Sequence, residues 1–378
     1  MCIRDRYQTH ALVHLDNIKY NLENIRKAVG PEKKILIAVK ANAYGHGALK
    51  VATMAADIGI DWLGVATVPE AIELRQAGIE LPILKFSPVF DDEMVEAINA
   101  EITICVCERE NIIALNETAK KLDKKVEVHL KIDTGMGRIG ANTDDAGALA
   151  DLILNQCANL KLGGAMTHLP VSDEANRTFT QRQIKLFCKT VKVIEATHDF
   201  KFPLVHCANS GAVLAHPEGW FDMVRPGIML YGFYPSNEVP QTIDLKPGLS
   251  FKSRVSFIKK VPKGVSVGYG RTWVAPKDTW VATFPAGYAD GFNRLFSNTG
   301  RVLINGTSYP VVGRVCMDQS MCNLGPETNV KVGDEVVLIG KSGDQSITGY
   351  EWAEKLDTIT YEVTCQINSR VTRIYSDY

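Results

Sequence analysis

Lys40 directly follows Ile35–Val39, a short apolar run with the composition of a buried β-strand. A lysine at the tip of a buried strand holds its charge in an apolar environment, which favours the neutral amine. The neutral amine attacks carbonyl carbons, so Lys40 is a candidate Schiff-base lysine. Tyr44, Gly45 and Gly47 follow closely and offer a hydroxyl donor and a backbone that a phosphate can approach. The spacing also fits a lysine that bends out to solvent, and both interpretations stay open at this point.

Further polar side chains stand at or just after the ends of other apolar runs. They are Arg138, His168, Asn209, Ser210 and Arg225. Ser210 lies where a strand gives way to a short helix, whose first backbone N–H groups point towards an anion. Arg225 is followed by Gly227, where a ligand can come close to the backbone. Each feature alone fits an ordinary turn, but together they predict one binding site.

The elements that would position these side chains alternate between apolar runs and helical patterns. Between residues 176 and 197, apolar side chains recur at helical spacing. Alternating strands and helices predict a (β/α)8 barrel over residues 10–240, with a doubly wound open sheet as the alternative. A barrel gathers the C-terminal ends of its strands on one face, which favours it here. The eight predicted strands are Ile35–Val39, Trp62–Ala66, Pro82–Phe86, Ile102–Val106, Val126–Ile132, Leu162–Thr167, Pro203–Cys207 and Phe221–Val224.

A glycine-rich segment, Gly135–Gly140, matches the G-x-G-x-x-G pattern of dinucleotide-binding proteins. That pattern also requires an acidic residue at the end of the next strand, about 20 residues further on. The corresponding segment, Asn155–Asn159, contains no acidic residue, and the motif follows the fifth predicted strand rather than the first. The sequence therefore argues against a dinucleotide site.

The composition is that of an ordinary globular enzyme. The chain has 378 residues, of which 46% are apolar and 22% charged, with a net charge of -1. This balance gives no reason to expect a nucleic-acid or membrane partner. The nine cysteines form neither a disulfide framework nor a zinc spacing, so we expect no metal and a reducing, cytoplasmic compartment. The first six residues lack the apolar core of a signal peptide and match poorly with the rest of the chain, so we exclude them from the fold prediction.

The pattern changes after a polar linker that contains three prolines, Pro235, Pro240 and Pro247. Apolar and polar residues alternate over Leu249–Val261, which predicts a half-buried strand. Val302–Val311 predicts a hairpin that turns at Asn305-Gly306, and Val330–Ile339 predicts two short strands. One short helix near Glu351–Leu356 and a final strand near Thr372–Tyr375 complete a predicted β domain over residues 245–378.

Several stretches of the chain resemble the motifs of alanine racemases, in the order that this family has them. In the barrel they are Val39–Gly47 and Lys131–Arg138; in the β domain they are Val267–Arg271, Ala286–Gly291, Gly313–Asp318 and Thr358–Glu362. The resemblance implies pyridoxal 5'-phosphate on Lys40 and interconversion of L- and D-alanine for peptidoglycan. It also implies a homodimer in which the β domain of one subunit completes the barrel mouth of the other.

The resemblance further implies a role for each matching residue. Lys40 and Tyr269 would be the acid/base groups on opposite faces of the substrate, and Lys131 would be a carbamylated lysine. Arg138, the backbone of Met317 and the nearby Asp318 would hold the substrate carboxylate. The phosphate would be bound around Tyr44, Ser210, Gly227, Ile228 and Tyr361, and Asn209 would be a further cofactor-binding residue. The outer entrance would be formed by Asp173, Tyr288, Arg294 and Arg314.

Arg225 distinguishes between reaction types. In the resembling family an arginine here faces the pyridine nitrogen and is supported by the residue that corresponds to His168. Because an arginine keeps its proton, the ring nitrogen would stay unprotonated, which favours racemisation. Related barrel decarboxylases have a carboxylate there. Two alternatives stay open: a racemase of another amino acid such as serine, or of several, and a non-catalytic pyridoxal-phosphate-binding protein.

Overall fold

The structure is a computed structural model that describes residues 8–378. The prediction about the first six residues therefore lies outside the described residues. The described chain divides into two compact bodies: residues 18–43 and 47–246 form the first, and residues 8–17, 44–46 and 247–378 form the second. No helix within residues 8–378 is long and apolar enough to cross a membrane.

The first body is the predicted barrel, and all eight predicted strands are confirmed. The chain begins with β1 (His10–Val13), which belongs to the second body, and continues into α1 (Leu15–Val29). The barrel strands are β2 (Lys34–Ala38), β3 (Trp62–Val65), β4 (Ile83–Lys85), β5 (Thr103–Val106), β6 (Val126–Lys131), β7 (Leu160–Met166), β8 (Leu204–His206) and β9 (Met223–Val224). They pair in parallel in the order β8-β7-β6-β5-β4-β3-β2-β9.

Hydrogen bonds flanking the last two strands bring the ends of this sheet together. The Asp222 N–H donates to the Val205 carbonyl at 3.0 Å, and the Arg225 N–H donates to the Ala208 carbonyl at 2.7 Å. The first body is thus a nearly closed barrel rather than an open sheet. Because parallel strands end on one face of such a barrel, the residues that follow them are brought together there.

Helices connect the barrel strands. They are α2 (Ala48–Asp57), α3 (Val68–Gln76), α4 (Met94–Asn99), α5 (Arg109–Lys121), α6 (Ala146–Asp151), α7 (Thr178–His198) and α8 (Ser210–Ala215). Helix α7 confirms the predicted helix over residues 176–197, and its inner face buries Ile184, Phe187, Val191 and Ile194. The barrel interior is packed with Leu36, Trp62, Leu84, Cys105, Met166, Leu204 and Met223.

The second body is mostly β. Its strands after β1 are β10 (Leu249–Arg254), β11 (Phe257–Val261), β12 (Ser266–Val267), β13 (Trp273–Val274), β14 (Thr279–Phe284), β15 (Arg301–Ile304), β16 (Thr307–Pro310), β17 (Ser320–Gly325), β18 (Glu335–Ser342), β19 (Gln345–Ile347) and β20 (Thr372–Tyr375), and its helices are α9 (Gly349–Leu356) and α10 (Thr360–Cys365). The largest sheet has the order β16-β15-β18-β10-β1-β20, with β19 paired to β18. A second sheet is β11-β14-β17, and β12 pairs with β13.

Four predictions in this region need correction. Residues 249–261 form two strands in different sheets, because the Val255 N–H bonds to the Asp334 carbonyl while the Ser256 N–H bonds to the Thr283 carbonyl. Residues 330–334 form a turn closed by the Asp334 carboxylate, so only β18 follows there. The single predicted helix is two helices, α9 and α10. The barrel domain was predicted from residue 10, but β1 pairs with β10 and β20 in the second body.

The hairpin and the final strand were predicted correctly. Strands β15 and β16 pair around Asn305-Gly306, both of which have positive φ as such a tight turn requires. Strand β20 covers the predicted residues 372–375 and pairs in parallel with β1.

Two histidines lie fully buried inside the barrel, and they make its stability depend on pH. Burial lowers the pKa of both His129 and His206, so the folded state holds them neutral. Below about pH 6.5 these histidines bind protons in the unfolded chain but stay neutral in the folded chain. The free energy of unfolding therefore falls as the pH falls. Each histidine contributes up to about 1.4 kcal/mol per pH unit in this window. We expect urea unfolding at fixed protein concentration to show this loss between pH 7.5 and 5.5.

The matched variant is His129→Gln, which keeps a hydrogen-bonding side chain without a titrating ring. We expect it to lose less free energy of unfolding than the parent chain over the same pH interval. Equal losses in the two proteins would contradict the assignment of this pH dependence to the buried pair.

Candidate active site

Lys40 follows β2, and the turn directly after Lys40 has an unusual backbone conformation. Ala41, Asn42, Ala43 and Tyr44 have φ values of 52, 53, 54 and 52°, a left-handed turn built without glycine. Such a conformation costs roughly 1–2 kcal/mol for each non-glycine residue, so surrounding contacts must hold it. The Lys40 Nζ lies 6.0 Å from the centroid of the Phe86 ring.

Glu70 at the start of α3 holds the beginning of this turn. Its Oε1 accepts a hydrogen bond from the Ala41 N–H at 2.7 Å, and its Oε2 accepts from the N–H groups of Ala66 and Thr67 at 2.8 and 3.2 Å. The Glu70 N–H in turn donates a capping hydrogen bond to Thr67 Oγ1, so Glu70 serves both the helix and the turn. The contact with the turn joins the end of β2 to the loop that follows the neighbouring strand β3.

Arg225, buried at the end of β9, donates only to neutral groups. Its Nη1 bonds to His206 Nδ1 at 2.8 Å, and its Nη2 bonds to the carbonyls of Thr167 and Cys207 at 2.8 and 3.2 Å. Because a guanidinium can only donate, His206 Nδ1 must accept, which leaves its Nε2–H to donate to His129 Nδ1 at 2.9 Å. Sequence reasoning gave the supporting role to His168, but the hydrogen bond goes to His206.

The pKa of His168 shows that the barrel mouth is rich in positive charge. Burial lowers the pKa of its half-buried ring to about 3, and four cations act in the same direction. They are Arg225, Arg138, Lys131 and Lys40. The structure thus places these predicted residues close enough to act on one ring, as expected at the strand ends of a barrel. Such an excess of positive charge fits a ligand with a phosphate and a substrate with a carboxylate.

Lys131 is buried at the end of β6 and donates to the Phe86 carbonyl at 3.0 Å. Burial lowers its pKa, and the neighbouring Arg225 and Arg138 lower it further, while Cys105 opposes the shift. The arrangement favours the neutral amine, which is the form that reacts with carbon dioxide.

The predicted phosphate residues, together with Asn209, fall into two groups. In the barrel, Ser210 Oγ accepts from the Gly227 N–H at 2.9 Å, beside the fully buried Ile228, and the Asn209 side chain caps α8 through the Ala212 N–H. In the second body, the rings of Tyr44 and Tyr361 lie 6.0 Å apart at an angle of 49°. Burial raises the pKa of Tyr44, so its hydroxyl keeps its proton and can donate to an anion.

The remaining predicted residues of the β domain share one open cavity of about 610 Å³. It is lined by Tyr269, Tyr288, Arg294, Arg314, Met317 and Asp318, with Val315, Cys316 and Gln319 between them. Tyr269 stands between Gly268 and Gly270, both with positive φ, and is 73% exposed. Asp173, predicted with the entrance residues, lies half-buried in the loop after β7 of the barrel, where burial raises its pKa.

A barrel with a lysine on its first strand, a cationic mouth and an appended β domain defines a pyridoxal-phosphate enzyme of the barrel type. Comparison with known proteins agrees. Residues 13–235 match the family model "Alanine racemase, N-terminal domain", and residues 248–375 match "Alanine racemase, C-terminal domain". The chain belongs to the alanine racemase family.

Individual relatives cover nearly the whole chain. It is 46% identical to an alanine racemase of Cutibacterium acnes over 97% of both chains, and 45% identical to one of Treponema denticola over 98% of both. The solved alanine racemase of Clostridium difficile 630 matches with a TM-score of 0.93 at 38% identity, covering 98% of this chain and 96% of that one. The family uses pyridoxal phosphate to interconvert L- and D-alanine, and this chain is such a racemase.

The contact between Glu70 and Ala41 can be tested against a matched helix-cap variant. Thr67→Ala removes the cap of α3 and should cost about 1 kcal/mol of stability, as should Glu70→Ala. Only Glu70→Ala also releases the left-handed turn, so we expect it alone to raise the dissociation constant for pyridoxal phosphate, by several-fold. Titration of the two apoenzymes with the cofactor measures this difference, and equal dissociation constants would contradict it.

Proposed function

We propose that Lys40 and Tyr269 are the two acid/base groups of this racemase and that two copies of the chain bring them to one substrate. Bound pyridoxal phosphate delocalises the electron pair that is left when the α-proton departs. Lys40 Nζ would exchange the proton on the face used for D-alanine, and Tyr269 Oη on the face used for L-alanine. Racemisation requires such a group on each face of the α-carbon.

The proposal of a dimer rests on the exposure of Tyr269. A tyrosine that takes up and returns a proton needs cationic or hydrogen-bonding neighbours and protection from bulk water. Arg294 and Arg314 line its cavity, but 73% of Tyr269 remains open to solvent, as do 64% of Leu295 and 53% of Met317. This surface fits the barrel mouth of a second copy, which would exclude water from both residues.

Arg225 is proposed to donate to the pyridine nitrogen. Since a guanidinium shares its protons in hydrogen bonds but does not transfer one to the ring, the pyridine nitrogen stays unprotonated and holds negative charge less strongly. Early return of the proton to the α-carbon is then favoured over loss of other groups. His206 supports this role by accepting one hydrogen bond of Arg225 without neutralising its charge.

The other predicted residues are proposed to bind and orient. Arg138 and the Met317 backbone would hold the substrate carboxylate beside Asp318, whose Oδ1 accepts from Arg370 at 2.8 Å. A carbamate on Lys131 would orient Arg138. The phosphate would lie at Tyr44, Ser210, Gly227, Ile228 and Tyr361, with Asn209 as a further cofactor-binding residue, and the entrance at Asp173, Tyr288, Arg294 and Arg314. A cytoplasmic location stays a prediction; it agrees with the eight cysteines within residues 8–378, none of which forms a disulfide bond there.

The face-specific role of Tyr269 is tested by Tyr269→Phe. We expect the variant to bind the cofactor normally, and racemisation to fall by at least the ~10² typical of losing an acid/base group. Exchange of the α-proton with deuterated solvent should survive better from D-alanine than from L-alanine, because Lys40 is intact. Equal loss from both enantiomers would show that Tyr269 is not a face-specific base. Serine and other amino acids assayed in parallel with the unaltered enzyme define the substrate range.

The shared site is tested by mixing two inactive variants. Lys40→Ala and Tyr269→Ala homodimers should both be inactive, since each lacks one acid/base group in every site. Random pairing after subunit exchange should give heterodimers with one intact and one doubly defective site, restoring up to about a quarter of the activity. An inactive mixture in which mass spectrometry shows heterodimers would mean that each site is built within one subunit.

A further inference from the structure

The guanidinium of Arg373, in β20, binds backbone carbonyls instead of carboxylates. Its Nε donates to the Gly45 carbonyl at 3.1 Å, and its Nη1 donates to the Val371 carbonyl at 2.8 Å. Further bonds reach the carbonyls of Asn368 and Ile367, each at 2.5 Å. A planar guanidinium with fixed N–H directions therefore ties the segment 367–371 to the residue that follows Tyr44.

Gly45 is also enclosed by α10. A Cβ on Gly45 would stand 2.2 Å from the Thr364 carbonyl oxygen, and its φ is +83°, so the position requires glycine. The same helix carries Tyr361, whose ring faces Tyr44 at 6.0 Å. The C-terminal segment thus fixes both the backbone and the side-chain neighbour of Tyr44.

Tyr44 needs this support because its own backbone is strained. Its φ of 52° makes it the last of four consecutive non-glycine residues in the left-handed region, a conformation that L side chains disfavour. Without an external restraint, the segment would relax to other conformations in the absence of ligand. A binding-competent state that is populated only in part weakens the apparent affinity by that fraction.

We propose that Arg373 is a positioning residue for the cofactor: by holding the Gly45 carbonyl, it keeps Tyr44 in the conformation that binds the phosphate. This inference rests on the proposed role of Tyr44 and Tyr361 at the phosphate. Arg373 would thus raise the affinity for the cofactor although its own hydrogen bonds go only to backbone carbonyls.

The experiment measures the dissociation constant of pyridoxal phosphate for apoenzyme, by titration with tryptophan fluorescence as the readout. Arg373→Met should raise the dissociation constant about tenfold or more. Arg373→Lys can keep one of the hydrogen bonds to backbone carbonyls but not all four, so it should raise the constant less. The matched control is Arg301→Met. Arg301 lies in the same body and binds Glu351 and the Ser346 carbonyl, away from Tyr44. It should change the dissociation constant less than twofold.

Gly45→Ala tests the same junction from the other side, since its Cβ would push against Thr364. The double variant Gly45→Ala/Arg373→Met should bind the cofactor little worse than whichever single variant binds it more weakly. Both changes release the same junction between Gly45 and the C-terminal segment. Independent, multiplicative effects would overturn the coupling. If Arg373→Met does not fold, as judged by thermal unfolding, Arg373→Lys against Arg301→Met decides the question.

Tyr44→Phe separates this inference from the proposed function. An unchanged dissociation constant in Tyr44→Phe would mean that Tyr44 does not bind the phosphate, and the proposed site would fail. A raised constant in Tyr44→Phe with unchanged constants in the Arg373 variants would overturn the role of Arg373 alone.

Discussion

The concentration of positive charge at the ends of the barrel strands is the constraint on which the rest of the site depends. Lys40, Lys131, Arg138 and Arg225 all act on the ring of His168. Cations this close repel each other, and the two buried ones, Lys131 and Arg225, must still satisfy their N–H groups away from water. A carboxylate partner would satisfy them but would also cancel the charge that attracts an anionic cofactor and substrate.

In the structure, the N–H groups of the buried cations donate to neutral acceptors, which satisfy them without cancelling the charge. Arg225 donates to the neutral His206 and to two carbonyls, and Lys131 donates to the Phe86 carbonyl. Lys85, buried at the end of β4, donates to the carbonyls of Ser87 and Pro88. Two arginines away from the mouth, Arg26 and Arg301, pair instead with the carboxylates of Asp61 and Glu351. In the barrel, the carboxylate of Glu127 lies at the other end of β6, 3.9 Å from His129 and bonded to Lys161.

The sequence predicted those parts of the molecule that depend on local patterns. Each barrel strand is a short apolar run, and a polar residue after such a run must lie at the mouth, which is why Lys40 and Arg225 could be identified. The errors involve pairing between distant segments. The barrel domain was predicted to begin at residue 10 because nothing local shows that β1 pairs with β10 and β20, more than 200 residues further on. In the same way, His206 resembles a core residue because its partner Arg225 lies at the end of the next strand. His129 lies on the same side of β6 as Lys131, two residues apart, and that spacing was a signal that it too faces the barrel interior.

The same neutral-acceptor arrangement bears on Lys131. Burial and the two nearby guanidinium groups both disfavour its ammonium form, so a larger fraction of the amine is neutral than on an exposed lysine. Reaction of that neutral amine with carbon dioxide would form an N–C bond, release one proton to solvent and leave an anion near Arg138 and Arg225, where the electrostatic potential favours negative charge. The cations that draw the cofactor and substrate to the mouth would then also stabilise the carbamate, and the carbamate would hold Arg138 in place. The charge excess would therefore stabilise the anion that we propose beside Arg138, and the neutral amine of Lys131 would supply it.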